Sequence, residues 1–153
     1  MTAGREESPL ARLPGGGRSP LGFNDTTKGS FRTHYGPPVM RLWGAACCYC
    51  ERDLAADYEA WLNASVEHVI PRHLSAKAGW PIEWTEDLAN QATCCRACNE
   101  FLNGFKVSEA KPASFEAFAD VRDRVFRAKR AQVLRRHEQE RMLYDSWARS
   151  RKS

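Results

Sequence analysis

The sequence predicts an α+β protein. A small central module of strands and helix is stapled by a four-cysteine zinc site, with a disordered N-terminal leader before it and a long C-terminal helix after it. Three observations predict this. The six cysteines fall in two tight clusters, Cys47-Cys48-Tyr49-Cys50 and Cys94-Cys95-Arg96-Ala97-Cys98. Seven of the ten glycines and five of the eight prolines lie within residues 1–38. From Phe115 to Arg149 there is neither glycine nor proline. The 153 residues suffice for one domain of ordinary size and are too few for two comfortable ones. The chain therefore divides into a leader (1–38), a central module (39–113) and a basic helical arm (114–153).

Residues 1–38 carry scattered apolar side chains with no sustained period and a Gly-Gly-Gly run at 15–17, the pattern of a disordered segment. Order is expected to begin near Val39, where Val-Met-Arg-Leu-Trp reads as a strand entering the first cysteine cluster. At the other end, Ser114 is placed to cap a helix. Phe115, Phe118, Val121 and Val125 then follow helical spacing, and Val133, Leu134 and Leu143 continue it less regularly. The first half of this helix is expected to pack on the central module and the second half to project. Spacing leaves open whether it is one rod or two.

The net charge of +4 is unevenly spread: +2 over the leader, −3 over the central module and +5 over the arm. An acidic centre beside a basic arm fits a polyanion-binding protein, although a solvated helix face has the same composition. No run approaches the roughly 20 apolar residues of a membrane-spanning helix. The N-terminal Met-Thr-Ala-Gly-Arg-Glu-Glu stretch has no signal-like apolar run, so the expectation is a cytoplasmic protein with no membrane partner. In that setting cysteines are metal ligands more often than disulfides. Cys47 with Cys50, and Cys95 with Cys98, each form a Cys-x-x-Cys pair, and the four thiolates match a closed tetrahedral zinc site. Cys48 and Cys94 are left over, either as buried small hydrophobes or as substitutes for a neighbouring ligand. A set of buried or redox-active thiols is the alternative to zinc.

Between Cys50 and Cys95 lie 44 residues, too many for a compact zinc finger. The insert holds Ser65-Val66-Glu67-His68-Val69-Ile70-Pro71-Arg72, where Val66, Val69 and Ile70 mark a short strand and Glu67-His68 sets a carboxylate beside an imidazole near its end. Strand neighbours point to opposite faces, so the two side chains serve one site only if the strand end re-aims them.

The order Cys-x-x-Cys, Glu-His-Val-Ile-Pro, Asn90, Cys95-x-x-Cys98-Asn99 resembles the HNH (ββα-metal) nuclease family in its four-cysteine form. The resemblance covers roughly residues 41–107. It implies a metal-dependent endonuclease that hydrolyses DNA and leaves 5′-phosphate and 3′-hydroxyl ends. His68 matches the general base and Asn90 the asparagine that orients it and steadies the loop. Glu67 and Asn99 match the ligands of a catalytic Mg²⁺ or Mn²⁺, while Cys47, Cys50, Cys95 and Cys98 match the structural zinc ligands. Arg72, Arg96, Arg135 and Arg136 are candidate phosphate contacts. No small-molecule cofactor is implied, and the oligomeric state is not. The chain departs from the family pattern at Glu67, commonly Asp, and at Leu102, commonly Lys. Hard oxygen donors suit Mg²⁺ and soft thiolates suit zinc, which assigns two ions to two ligand sets. A zinc-stapled nucleic-acid-binding module without catalysis is the alternative. His34, His73 and His137, together with Trp43, Trp61, Trp80 and Trp84, carry blander readings as surface, neighbouring or packing residues.

Overall fold

Two short strands and the helices packed on them organise the chain, in a computed structural model that describes residues 36–152. The disorder expected of the leader falls almost wholly outside those residues. In chain order the elements are α1 (Gly36–Trp43), α2 (Tyr58–Leu62), β1 (Ala64–His68), α3 (His73–Ala78), α4 (Ile82–Thr85), a 3-10 turn at Leu88–Asn90, β2 (Gln91–Cys95), α5 (Arg96–Phe101) and α6 (Phe115–Ser150). The fold is mixed α and β, as the sequence predicts.

The Val39–Trp43 segment is a helix and not a strand, and α1 runs across the expected boundary between residues 38 and 39. Pro37 and Pro38 sit in its first turn, where their missing N–H groups are not needed and their fixed φ suits a helix. Val39 is fully buried, Arg41 lies in the last turn, and Gly44 follows at φ +78°, a left-handed conformation that ends the helix. Five residues are too short a window for strand and helix periodicity to be told apart.

Asp57 caps α2 by accepting from the Ala60 N–H at 2.7 Å, and the chain then enters β1. Strand β1 pairs antiparallel with β2, with Ala64 opposite Cys95, Val66 opposite Thr93 and His68 opposite Gln91. All five β2 residues are buried, because α1 covers this strand and α5 packs against both. Val69 and Ile70 follow β1 as fully buried core residues, just beyond the paired register.

Helix α6 is one rod of 36 residues, about 54 Å long at 1.5 Å per residue. Ser114 caps it as expected, its Oγ accepting the Ala117 N–H at 3.2 Å. Phe115, Phe118, Val121, Val125, Phe126 and Val133 are buried, a stripe of three- and four-residue steps on the face turned to the core. Phe118 packs against Trp80 and Trp84, and Phe126 stacks on Tyr49 at 5.3 Å between ring centroids. Beyond Val133 the large apolar side chains are exposed, among them Met142, Leu143, Tyr144 and Trp147. The helix packs from Phe115 as far as His137, beyond the expected first half, and the remainder is mostly exposed. Among the described residues no helix is long and apolar enough to cross a membrane.

Candidate metal centre and adjoining groove

The first cysteine pair lies in a narrow hairpin. The Cys47 N–H donates to Arg52 O at 2.9 Å, the Leu54 N–H donates to Ala45 O at 2.8 Å, and Ala46 bridges Asp53. Its turn closes with the Glu51 N–H on Cys47 O at 2.9 Å, and Glu51 takes the left-handed region at φ +63°, uncommon for a residue with a Cβ. The second pair straddles the end of β2 and the start of α5, where Cys95 Sγ accepts the Cys98 N–H at 3.5 Å. A bond from the Cys48 N–H to Thr93 O at 2.9 Å holds the hairpin against β2.

Together these constraints bring the sulfurs of Cys47, Cys50, Cys95 and Cys98 within 4.8 Å of one another, close enough to bind a metal ion. Cys50 Sγ and Cys95 Sγ are 3.8 Å apart. That spacing is the edge of a tetrahedron with bonds of about 2.3 Å, the zinc–thiolate length. Four thiols this close cannot all ionise unaided. With Cys47 as thiolate, contact with its sulfur pushes the Cys98 thiol up and the Cys95 thiol up to about 11. A cation is what lets four thiolates share the volume. The Cys-x-x-Cys register holds in both clusters. Cys94 is buried with its thiol donating to Cys95 O at 3.3 Å.

One partner of this centre escaped the sequence. His137, on α6, places Nε2 3.1 Å from Cys98 Sγ, with its ring edge-on to Phe101 at 5.0 Å. It stands outside the four-sulfur set and ties α6 to α5 at Cys98. Outer contacts of this kind typically change metal affinity about 10–100-fold. His137→Ala is therefore expected to release metal faster to a chromogenic chelator, within that range, while helix content by circular dichroism stays near wild type.

On the other side of β1, Glu67, His68 and Asn99 line one groove of ≈ 570 Å³ together with Arg72, His73 and Lys129. Glu67 and His68 reach the same groove because β1 ends at His68, where the alternation of faces ends too. Glu67 is only 4% exposed. Its Oε1 accepts from Tyr49 OH at 3.2 Å and forms a buried ion pair with Lys129, whose ammonium also donates to His68 O at 3.2 Å. His68 Nε2 lies 3.3 Å from Oε2 of Glu86, a buried carboxylate whose other oxygen takes the Arg72 guanidinium. Burial pushes the Glu86 carboxyl up, but His68 and Arg72 outweigh it and hold it below the usual glutamate value. Asn99 donates from Nδ2 to Ser65 Oγ at 3.4 Å. The carboxylate of Glu67 and the amide of Asn99 are the hard oxygen donors a Mg²⁺-like ion prefers, so the donor set fits that ion chemically.

Asn90 is fully buried, and its side chain clamps the ends of the loop between the strands. Oδ1 accepts the Ile70 N–H, while Nδ2 donates to Ile70 O and Thr85 O, all at 2.8 Å. These bonds fix the backbone just after His68. Asn90→Ala leaves three buried backbone groups unpaired, at about 1–3 kcal/mol each before relaxation. The expected outcome is a loss of about 3 kcal/mol or more in urea unfolding, with the loop amides losing exchange protection first.

The candidate phosphate contacts are spread out. Arg72 borders the groove. Arg135 and Arg136 line a second groove beside Phe101, and Asn103 belongs to both grooves, so the two adjoin. Arg136 also pairs with Glu140 at 2.7 Å and lies over the Phe101 ring. Arg96 is exposed at the start of α5 and lines neither groove. Trp80 is buried in the core and Trp84 packs on Phe115 and Phe118, the packing roles expected of them. Glu86, Lys129 and His137 are the residues that sequence reasoning missed. No protein family, curated protein or solved structure matches this chain.

Proposed function

We propose that this chain is a divalent-ion-dependent endonuclease of the HNH type that hydrolyses DNA phosphodiester bonds. The observation that carries the reading is the convergence of His68, Glu67 and Asn99 on one groove beside the four-cysteine centre. A neutral His68 ring that donates its Nε2–H to Glu86 keeps its lone pair on Nδ1, the position from which it takes a proton from the attacking water. The Glu86 carboxylate then stabilises the imidazolium that forms. When bound by Glu67 and Asn99, Mg²⁺ or Mn²⁺ supplies neutralisation of the charge that develops on the phosphoryl and leaving oxygens. The Arg72 guanidinium, at the mouth of the groove, orients a backbone phosphate. Cys47, Cys50, Cys95 and Cys98 hold a structural zinc that keeps β2 and α5 at a fixed angle to the hairpin.

Beyond the groove, Arg135, Arg136 and Arg141 are exposed on α6, the first two lining the second groove. Replacing all three with alanine removes up to three phosphate contacts and is expected to lower the log–log salt slope of DNA binding by about 2–3.

One observation favours the second reading, a zinc-stapled nucleic-acid-binding module without catalysis: Glu67 already carries a cation, Lys129. Supercoiled plasmid incubated with the zinc-loaded protein and Mg²⁺ or Mn²⁺ separates the two. Nicked or linear product supports the nuclease. Salt-sensitive retention of intact plasmid at every divalent-ion concentration supports the binding module and overturns the nuclease.

A further inference from the structure

The buried pair at the foot of the groove has a consequence for how an ion reaches it. Glu67 and Lys129 are 4% and 3% exposed, and both line the groove. Oε1 of Glu67 is occupied by two donors, the Lys129 ammonium and the Tyr49 hydroxyl. Lys129 is held in turn by His68 O and lies 5.6 Å from the centre of the Phe105 ring. Behind His68 and outside the lining of the groove, the buried Glu86 is paired with Arg72 in the same way. Glu67, the one carboxylate among the described residues that line the groove, thus has its charge met by the chain's own Lys129, and a carboxylate this deeply buried would be costly with no cation at all.

We propose that Lys129 is a resident counter-cation for Glu67 with which an arriving divalent ion must compete, so that the seating of α6 opposes ion loading. The inference rests on Glu67 being an ion ligand. The Lys129 ammonium holds Oε1, and a divalent ion on either oxygen of the same carboxylate would lie close enough to it for strong like-charge repulsion. The two cations therefore bind with negative coupling, and coupling of this kind typically amounts to about 5–150-fold in affinity. Because Lys129 belongs to the packed half of α6, its release loosens a helix that also touches the metal centre through His137.

The test uses full-length, zinc-loaded protein titrated with Mn²⁺, with free ion followed by electron paramagnetic resonance and stability by thermal melting. Lys129→Met, Glu67→Gln and the double variant are compared with wild type. Lys129→Met is expected to bind Mn²⁺ about tenfold tighter or more, and its melting temperature should rise with Mn²⁺ more steeply than that of wild type. If Lys129→Met folds poorly, recovery of folded protein on adding Mn²⁺ is the supporting result. Failure to fold even at saturating Mn²⁺, while the double variant folds, overturns the proposal. Equal Mn²⁺ affinity in wild type and Lys129→Met, abolished by Glu67→Gln, overturns the counter-cation role and leaves Glu67 as a ligand. Mn²⁺ binding that ignores Glu67→Gln, or that is absent throughout, removes the ligand reading and the proposal with it.

Discussion

His68→Ala is expected to lower plasmid cleavage in Mg²⁺ or Mn²⁺ by about 10²–10⁴-fold, the usual loss when a general base is removed. Misplacement of the attacking water adds to that. Zinc content, folding and DNA affinity should stay near wild type, because the His68 side chain is half-buried and its strand pairing is carried by backbone. Glu86→Gln separates positioning from basicity. It keeps the shape of the side chain but removes the charge that stabilises an imidazolium, so kcat should fall while KM changes little. A fully active His68→Ala protein would leave some nuclease reading possible but overturn the assignment of roles in the groove. A Glu67→Ala protein should differ from His68→Ala in kind, with activity partly recovered at high divalent-ion concentration, since a ligand and not the base is missing.

Removing a sulfur from the metal centre is the second large effect. Cys47→Ser or Cys98→Ser should lower bound zinc from about one per chain and unfold the module around the two strands. Structural zinc contributes about 10–16 kcal/mol of apparent binding free energy in small domains, which is folding free energy when the apo site does not preform. Here the need is acute, since a two-stranded sheet is marginal alone and the hairpin from Ala45 to Leu54 is joined to β2 by few backbone bonds. Circular dichroism and metal analysis on the variants provide the measurement. A stripped protein that keeps its cooperative melt would show that the core between α6 and the strands suffices without the ion.

Features set by local spacing were legible in the sequence. The two Cys-x-x-Cys pairs needed only a hairpin turn and a helix start to present two sulfurs each. The Ser114 cap and the apolar steps from Phe115 to Val125 lie within a few turns of one helix. Glu67-His68 at a strand end was legible for the same reason, because both faces become available where the ladder stops. The segment Val39–Trp43 went the other way. It is too short for its period to decide, and its buried Val39 matters only once β2 is there to receive it.

What the sequence alone determined, then, is the set of four cysteines that gather closely enough to hold a metal ion; a histidine with two oxygen donors for phosphodiester work is what the family resemblance proposes. Only the tertiary structure decided their state. Lys129 reaches Glu67 across 62 residues, His137 reaches Cys98 across 39, and Glu86 reaches His68 across 18. No periodicity marks such pairs, because a charged residue on a helix reads as solvent-facing until something packs over it. Helix α6 is what packs. Packing on α5, Tyr49, Trp80 and Trp84 buries Lys129 at the depth of Glu67, where desolvation forces the two charges to find each other. The same packing brings His137 to the metal centre, so one helix placement fixes the electrostatics of both.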